Sequence, residues 1–571
     1  MHIPAKHHLL ATFLATALSG SAFAISSEPA AGSHGMVASG HRLATEIGLD
    51  VLRHGGNAVD AAVAVGYALS VAMPNAGNIG GGGFMVVRMA DGREAMIDFR
   101  EAAPLAASRD MYLDKNGAVA NDSGARMWSG VAVPGTVSGL DYARKKFGTM
   151  PLKPLVEPAV KLASEGYVLT QWDDVVHMGD MLKQFAKTDR YVAKHFLNGG
   201  EPYTVGQRFR QPALARTLSA IAKQGPGAFY QGWIADETVR ASQEAGGILA
   251  KADFEKYRAL EYRPVRCTYR GYTIISAAPP SSGGVSLCET LNVLEGIPLA
   301  KLGYQSTQSL HYLIETFRYA YADRNLEIGD PRYVRNDIER LTSKAYASQI
   351  RDKIQPDRVE LSSNVKGIAP TRESANTTHY TVVDREGNAV SVTYSLGLRF
   401  GAGKVAGDAG FFLNDTMIGF TAKVGSPNPF GLIQGEANAI APEKRSLSSM
   451  TPTVILKDGK VFMVVGAMGG PRIISGTAQA ILNVVDYGMS VKDAVDADRI
   501  HHQWLPDTVY VEGRAIPPDA RANLERMGHK FTADKANVVS NAVTAIVVDP
   551  STGVMTGAHD NREPAGAAMG W

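Results

Sequence analysis

The chain has 571 residues, 45% of them apolar and 20% charged, with a formal net charge of +2 at pH 7. That length and apolar content support one large globular unit or several smaller ones with a sizeable core. The near balance of charge, without a basic block, argues against nucleic acid or an anionic membrane as a partner.

Residues 1–24 read as a secretory signal peptide. Lys6, His7 and His8 form a short basic region, Leu9 to Leu18 is mostly apolar, and Ala22-Phe23-Ala24 closes on a small-x-small cleavage pattern. The apolar stretch is too short to span a bilayer, and no later segment is long and apolar enough. The mature chain is therefore expected to be soluble and periplasmic or secreted. Ile47, Val51 and Leu52 predict a helix over Ala44–His54 that stops at Gly55-Gly56. Asp60–Met73 predicts a second, mostly buried helix. Phe84–Arg88 and Ala95–Phe99 read as strands about the Asp91-Gly92 turn. Gly80–Gly83 looks superficially like a phosphate loop, but no Gly-Lys-Ser/Thr follows, so nucleotide binding is discounted. Residues 130–260 look largely helical. Cys267 and Cys288 are the only cysteines; two buried free thiols are expected, although an oxidising compartment would let them pair.

Val365 to Asn376 is polar and poor in large apolar groups, which suits a surface loop where a chain is readily cut. Thr377 to Asp384 then alternates, turns through Asp384–Asn388 and returns as Ala389–Tyr394, a β-hairpin whose first strand begins at Thr377 or Thr378. A threonine hydroxyl is a poor nucleophile without a base beside it. A cut just before Thr377 would supply one, since the freed α-amine is near neutral in pKa and belongs to the same residue. Taken alone, a Thr-Thr pair at a strand start is ordinary β-structure. In the same way Gly469-Gly470 alone is a turn and Arg100 alone a solvated cation. Helices are expected near Gly476–Tyr487 and Val491–Ala497. His501 and His502 point apart and lack a third ligand, so a structural role is expected and no metal.

Several further segments, taken in order, change the weight of these residues: Gly55–Ala62, Gly80–Phe84, Asp98–Pro104, Pro279–Gly284, Arg445–Pro452 and Gly469–Ile474. Together with the Thr377 stretch they resemble the γ-glutamyltranspeptidase family, N-terminal-nucleophile hydrolases that cut themselves once. The resemblance runs from about Gly35 to Trp571. It implies an α+β fold, a four-layer αββα sandwich forming one structural unit from two autocleaved subunits; periodicity alone supports only α/β or α+β. The cut would fall between Asn376 and Thr377, leaving a large subunit of residues 25–376 and a small one of 377–571 that pair as a heterodimer.

By the same resemblance Thr377 is the nucleophile and Ser395, where the family more often has threonine, is its hydroxyl partner. Gly469 and Gly470 form the oxyanion hole, where backbone N–H groups need a chain free of side chains. Arg100 grips a substrate carboxylate as a two-pronged donor, shared with Ser448 and Ser449. No cofactor is implied. The substrate would be a γ-glutamyl amide such as glutathione, with the acyl group passed to water, amino acids or peptides.

Four further positions depart from the pattern. Typical members hold the substrate's α-ammonium with an asparagine, a glutamine or glutamate, and an aspartate; this chain has Gly397, Thr416 and Gly419. Phe430 stands where a lid tyrosine is usual. Asp415 is next to Thr416, but on a strand it would point to the opposite face. A second acyl specificity thus stands beside the first: groups bearing a carboxylate but no α-amine, as in glutaryl-cephalosporin acylases. A third reading, an exported binding protein that has lost catalysis, is opposed by the retention of Thr377, Gly469-Gly470 and Arg100.

Overall fold

The computed structural model describes residues 28–120, 124–365, 377–428, 432–533 and 541–571. The expectations for the signal peptide, Asn376 and Phe430 lie outside these residues. Two seven-stranded antiparallel sheets form the centre. One runs, edge to edge, through Ala567–Gly570, Gly35–Ser39, Thr378–Asp384, Ala389–Ser395, Gly82–Arg88, Glu94–Asp98 and Leu260–Tyr262. The other runs through Ala30–Gly32, Met555–His559, Val543–Val548, Lys460–Ala467, Thr453–Lys457, Tyr272–Ser276 and Val265–Tyr269.

Successive side chains of a strand face opposite ways, and here each way leads to a different core. Val37, Met85, Val87 and Ile97 pack outward with Ala61, Val65 and Leu69 of the helix Ala58–Ala72. Met36, Ala38, Phe84, Val86 and Met96 pack inward with Val454, Val464 and Ile546 of the second sheet. The second sheet's other face is covered by the helices Gly283–Glu295, Arg472–Val485 and Val491–Asp496, and Thr307–Glu327 packs on Gly283–Glu295. The result is the expected αββα layering, and burial on both faces fits the continuous apolar run Phe84–Val87. Polar groups also bridge the sheets: Thr453 N donates to Ser391 Oγ at 2.9 Å, and Ser391 Oγ donates to Val465 O at 3.3 Å.

The first two helices form as their sequence dictates. Arg42–Arg53 ends ahead of Gly55, whose φ of +89° suits glycine. Ala58–Ala72 opens with a capping box in which Asn57 and Asp60 satisfy each other's backbone N–H groups, and all of its residues are buried. Between 130 and 260 the chain is mainly helical, with a small ribbon of Tyr167–Val168 and Arg208–Phe209. Among the described residues no helix is long and apolar enough to cross a membrane.

One expectation is corrected. Cys267 and Cys288 are not free thiols but a disulfide, with Cα atoms 5.9 Å apart, joining the edge strand Val265–Tyr269 to the helix Gly283–Glu295. Their spacing of 21 residues carries no signal of this, because the hairpin and loop between strand and helix bring the side chains together only in the fold.

Candidate active site

The site grows out of the middle of the first sheet. In the hairpin register Thr378 pairs with Tyr394, so the next step outward sets Thr377 opposite Ser395. Their hydroxyls meet at 3.4 Å, Thr377 donating. Ser395 Oγ also accepts from Gly397 N at 2.8 Å, which fixes its rotamer against the turn that follows.

The glycine run Gly80–Gly83 proves to be a packing device. A Cβ at Gly81 would lie 2.0 Å from Ser395 O, and one at Gly82 would lie 2.3 Å from Phe99 O. Side chains here would push apart the strand ends that carry Ser395 and Arg100.

A single cavity is lined by Thr377, Ser395, Gly397, Arg100, Ser448, Ser449, Gly419 and Gly470. The fold therefore brings together eight of the positions singled out from sequence. Gly469 and Thr416 stand next to lining residues without lining the cavity themselves. Thr416 is turned away: its hydroxyl donates to Asn414 Oδ1 at 2.8 Å. His501 and His502 lie elsewhere, bonded to Ser475 and Asp507.

Gly469 and Gly470 have φ of +124° and +56°, backbone that side chains disfavour. Neither amide donates to a backbone carbonyl among the described residues. The pair leads through Pro471 into the helix Arg472–Val485, whose N-terminus adds positive potential. Asn541 Nδ2 braces this loop by donating to Met468 O at 2.8 Å and Arg472 O at 3.0 Å.

Across the cavity, the segment Ser448–Met450 is held by Ser281 and Ser282 of the Pro279–Gly284 stretch. Ser282 Oγ donates to Ser448 O at 2.7 Å, and Ser281 Oγ donates to Met450 O at 2.5 Å. Ser448 Oγ accepts from Met450 N at 3.1 Å. Ser449 Oγ accepts from Arg324 Nη2 at 2.7 Å. Each hydroxyl thus has one acceptor site filled by protein, and its O–H remains to donate to a carboxylate.

Arg100 is buried, and its Nη2 donates to Ser446 Oγ at 3.0 Å. Its Nη1 lies 3.2 Å from Glu101 Oε2. Burial raises the Glu101 pKa to about 7 against the pull of Arg100. The Arg100 segment is anchored by Asp98, whose Oδ1 accepts from Arg100 N at 2.8 Å and whose Oδ2 is paired with Arg445 at 2.6 Å.

Sequence reasoning missed two residues and misplaced a third. Arg324 lines the cavity from the helix Thr307–Glu327. Its only sequence signal is a charged residue among Tyr319, Tyr321 and Ala322, on a helix that turns out to be buried nearly all round. Ser446, which accepts from Arg100, carries no sequence signal beyond its place in the Arg445–Pro452 segment. Asp415 is not on a strand: it heads the short 3₁₀ turn Thr416–Gly419, so alternation does not apply to it. It is fully buried, and burial raises its pKa to about 6.

With this geometry in hand, comparison with known proteins gives a consistent picture. A family model described as Gamma-glutamyltranspeptidase matches residues 44–570. The chain is 48% identical over 569 residues to the glutathione hydrolase proenzyme of Pseudomonas sp. (strain A14), covering 98% of each chain. It is 44% identical over 537 residues to the glutathione hydrolase proenzyme of Escherichia coli (strain K12), covering 94% of this chain and 91% of the relative. Among solved structures, the cephalosporin acylase from Bacillus halodurans matches with a TM-score of 0.81 at 27% identity, over 95% of this chain and 97% of that one.

Proposed function

The chain belongs to the γ-glutamyltranspeptidase family, and on that footing we propose that it is an exported, self-cleaving glutathione hydrolase and γ-glutamyl transferase with Thr377 as nucleophile. Scission of the Asn376–Thr377 bond gives subunits 25–376 and 377–571, which stay together as a heterodimer. The Thr377 hydroxyl loses its proton to its own α-amine and attacks the γ-carbonyl of the bound amide. The carbonyl oxygen takes the negative charge facing Gly469 and Gly470. Collapse breaks the C–N bond, the departing amine takes the proton, and an acyl ester remains on Thr377. Water or the amine of an amino acid then attacks that ester, and the hydroxyl is restored. Arg100, Ser448 and Ser449 hold the α-carboxylate throughout. The chemistry calls for no cofactor.

The observation that carries this reading is the meeting of the Thr377–Ser395 hydroxyl pair with Arg100, Ser448 and Ser449 on one cavity. The test is hydrolysis of γ-glutamyl-p-nitroanilide by wild-type protein and by Thr377→Ala, with processing followed on a denaturing gel. Two bands and turnover are expected for the wild type alone. A wild type that stays a single chain and turns over nothing would instead favour an exported binding protein.

A second reading, an acylase for glutaryl-type groups, draws on the bare cavity walls at Gly397 and Gly419 and on the hydroxyl of Thr416 being spent on Asn414. Parallel assays of glutaryl- and γ-glutamyl-p-nitroanilide separate the two.

A further inference from the structure

Fifteen residues ahead of Thr377 the chain is pinned at Ser362, a residue that lines no part of the cavity. Within Leu361–Val365 only Ser362 and Val365 are buried; Leu361, Ser363 and Asn364 face solvent. The Ser362 backbone N donates to Asp507 Oδ2 at 2.9 Å, and its carbonyl accepts from Trp504 Nε1 at 3.0 Å. Its hydroxyl oxygen accepts from Arg318 Nη1. Just upstream, Val359 N donates to Met527 O at 2.9 Å, and Glu360 N donates to Glu315 Oε2 at 3.1 Å.

The residues around Ser362 form an ion cluster that spans position 377. Arg318 is buried; it pairs with Asp507 through Nη1 and lies 3.1 Å from Glu315 Oε1 through Nη2. His502 Nδ1 accepts from Trp504 N at 3.2 Å, which leaves Nε2 as its donor, 3.4 Å from Asp507 Oδ1. A buried cluster of this kind adds little net stability, because desolvating each ion offsets most of the attraction. What it can supply is fixed geometry. The geometry fixed here is the entry point of a short stretch of chain. Eleven residues, 366–376, join Val365 to Thr377, and Thr377 is itself set by the hairpin register and by Ser395. Holding both ends of a short connection narrows the positions open to any group within it.

We propose that Asp507, Trp504 and Arg318 are positioning residues for self-cleavage: by pinning Ser362 they limit where the Asn376 carbonyl can lie and favour its meeting with the Thr377 hydroxyl. The inference rests on the self-cleavage proposed above. In that step Thr377 Oγ1 bonds to the Asn376 carbonyl carbon, and the C–N bond breaks as the hydroxyl proton passes to the nitrogen. Water then splits the ester, freeing the Asn376 carboxyl group and restoring the Thr377 hydroxyl. Later turnover of amide substrates uses none of the pinning residues.

The test follows maturation of the full chain by pulse-chase on denaturing gels, then hydrolysis of γ-glutamyl-p-nitroanilide by the processed fraction. Asp507→Ala and Ser362→Ala should mature at least about fivefold more slowly than the wild type, as expected when a reacting group is held less closely. Asp507→Asn keeps an oxygen for the Ser362 amide and should recover part of the rate. Both kcat and KM of the processed chains should stay within about twofold of the wild type. Maturation of both alanine variants at the wild-type rate would overturn the proposal. Equal losses in maturation and turnover would also overturn it, by marking general damage to the fold. Should Asp507→Ala give no soluble protein, Ser362→Ala decides alone. A wild type that never splits defeats the self-cleavage reading and this inference with it, whereas variants that split as fast as a splitting wild type defeat the inference alone.

Discussion

The guanidinium of Arg100 lies 3.2 Å from the carboxylate of its own sequence neighbour, Glu101, so the cation facing the cavity already has an internal counter-ion. Burial lifts the Glu101 pKa to about 7. Below that pH Glu101 is protonated and Arg100 is released to a substrate carboxylate; above it, ionised Glu101 competes. KM for γ-glutamyl-p-nitroanilide should therefore rise as pH increases through about 7, by up to about tenfold. Glu101→Gln should flatten that rise, and a KM profile unchanged in Glu101→Gln would refute the competition. The stability sign runs the same way. A carboxyl with a raised folded-state pKa favours folding when protonated, so its stabilising contribution is lost as pH climbs toward about 7, and Glu101→Gln should remove that slope in urea titrations.

Thr377 and Ser395 should separate cleanly by mutation. Thr377→Ala is expected to stay a single chain and to lose amide turnover entirely. Ser395→Ala removes the hydroxyl that accepts from Thr377 Oγ1 and from Gly397 N. A loss on the order of tenfold to hundredfold in kcat is expected, with slower processing on a gel time course.

Arg324 is predicted to act through Ser449. Its 2.7 Å bond fills an acceptor site of that hydroxyl and holds the oxygen in place. Arg324→Met should raise KM for carboxylate-bearing substrates by about tenfold or more, as expected for a lost hydrogen bond to a charged group worth about 1.5–3 kcal/mol. kcat should change less, and Arg324→Lys should recover part of the loss. A uniform fall in kcat with KM untouched would mean that the arginine supports the fold and not the hydroxyl.

Asp98 and Arg445 form a buried pair that ties the Arg100 segment to the Ser448 segment. Arg445→Met leaves a buried carboxylate unpaired and should cost about 3–5 kcal/mol in urea unfolding. The double change Asp98→Asn with Arg445→Met should cost less than the sum of the single changes. Strict additivity would show that the two residues are not coupled.

Much of the fold was legible because its signals are local. The helix Ala58–Ala72 has its cap and its apolar run in one stretch, and the hairpin from Thr378 to Ser395 has alternation and a turn. The hydroxyl pair was expected from the family resemblance alone, and the hairpin register accounts for it in space. What escaped depends on distant chain meeting in space. Cys267 and Cys288 are joined only because a strand edge packs under a helix. Arg324 reaches the cavity from a helix more than fifty residues before the hairpin. Asp415 was misjudged because a strand period was assumed where the chain makes a tight turn, and turns of that kind depend on the surrounding loops more than on their own residues.

The strand that Thr377 introduces lies third from the rim of its sheet, bordered by Gly35–Ser39 on one flank. Its hairpin partner is bordered in turn by Gly82–Arg88. The second sheet mixes early and late strands in the same way. Severing one peptide link ahead of position 377 therefore liberates no module. The two polypeptides would be laced through each other, and dilution alone should never separate them. A fragment 377–571 produced by itself would hold out raw strand edges with no neighbours, and should clump instead of folding.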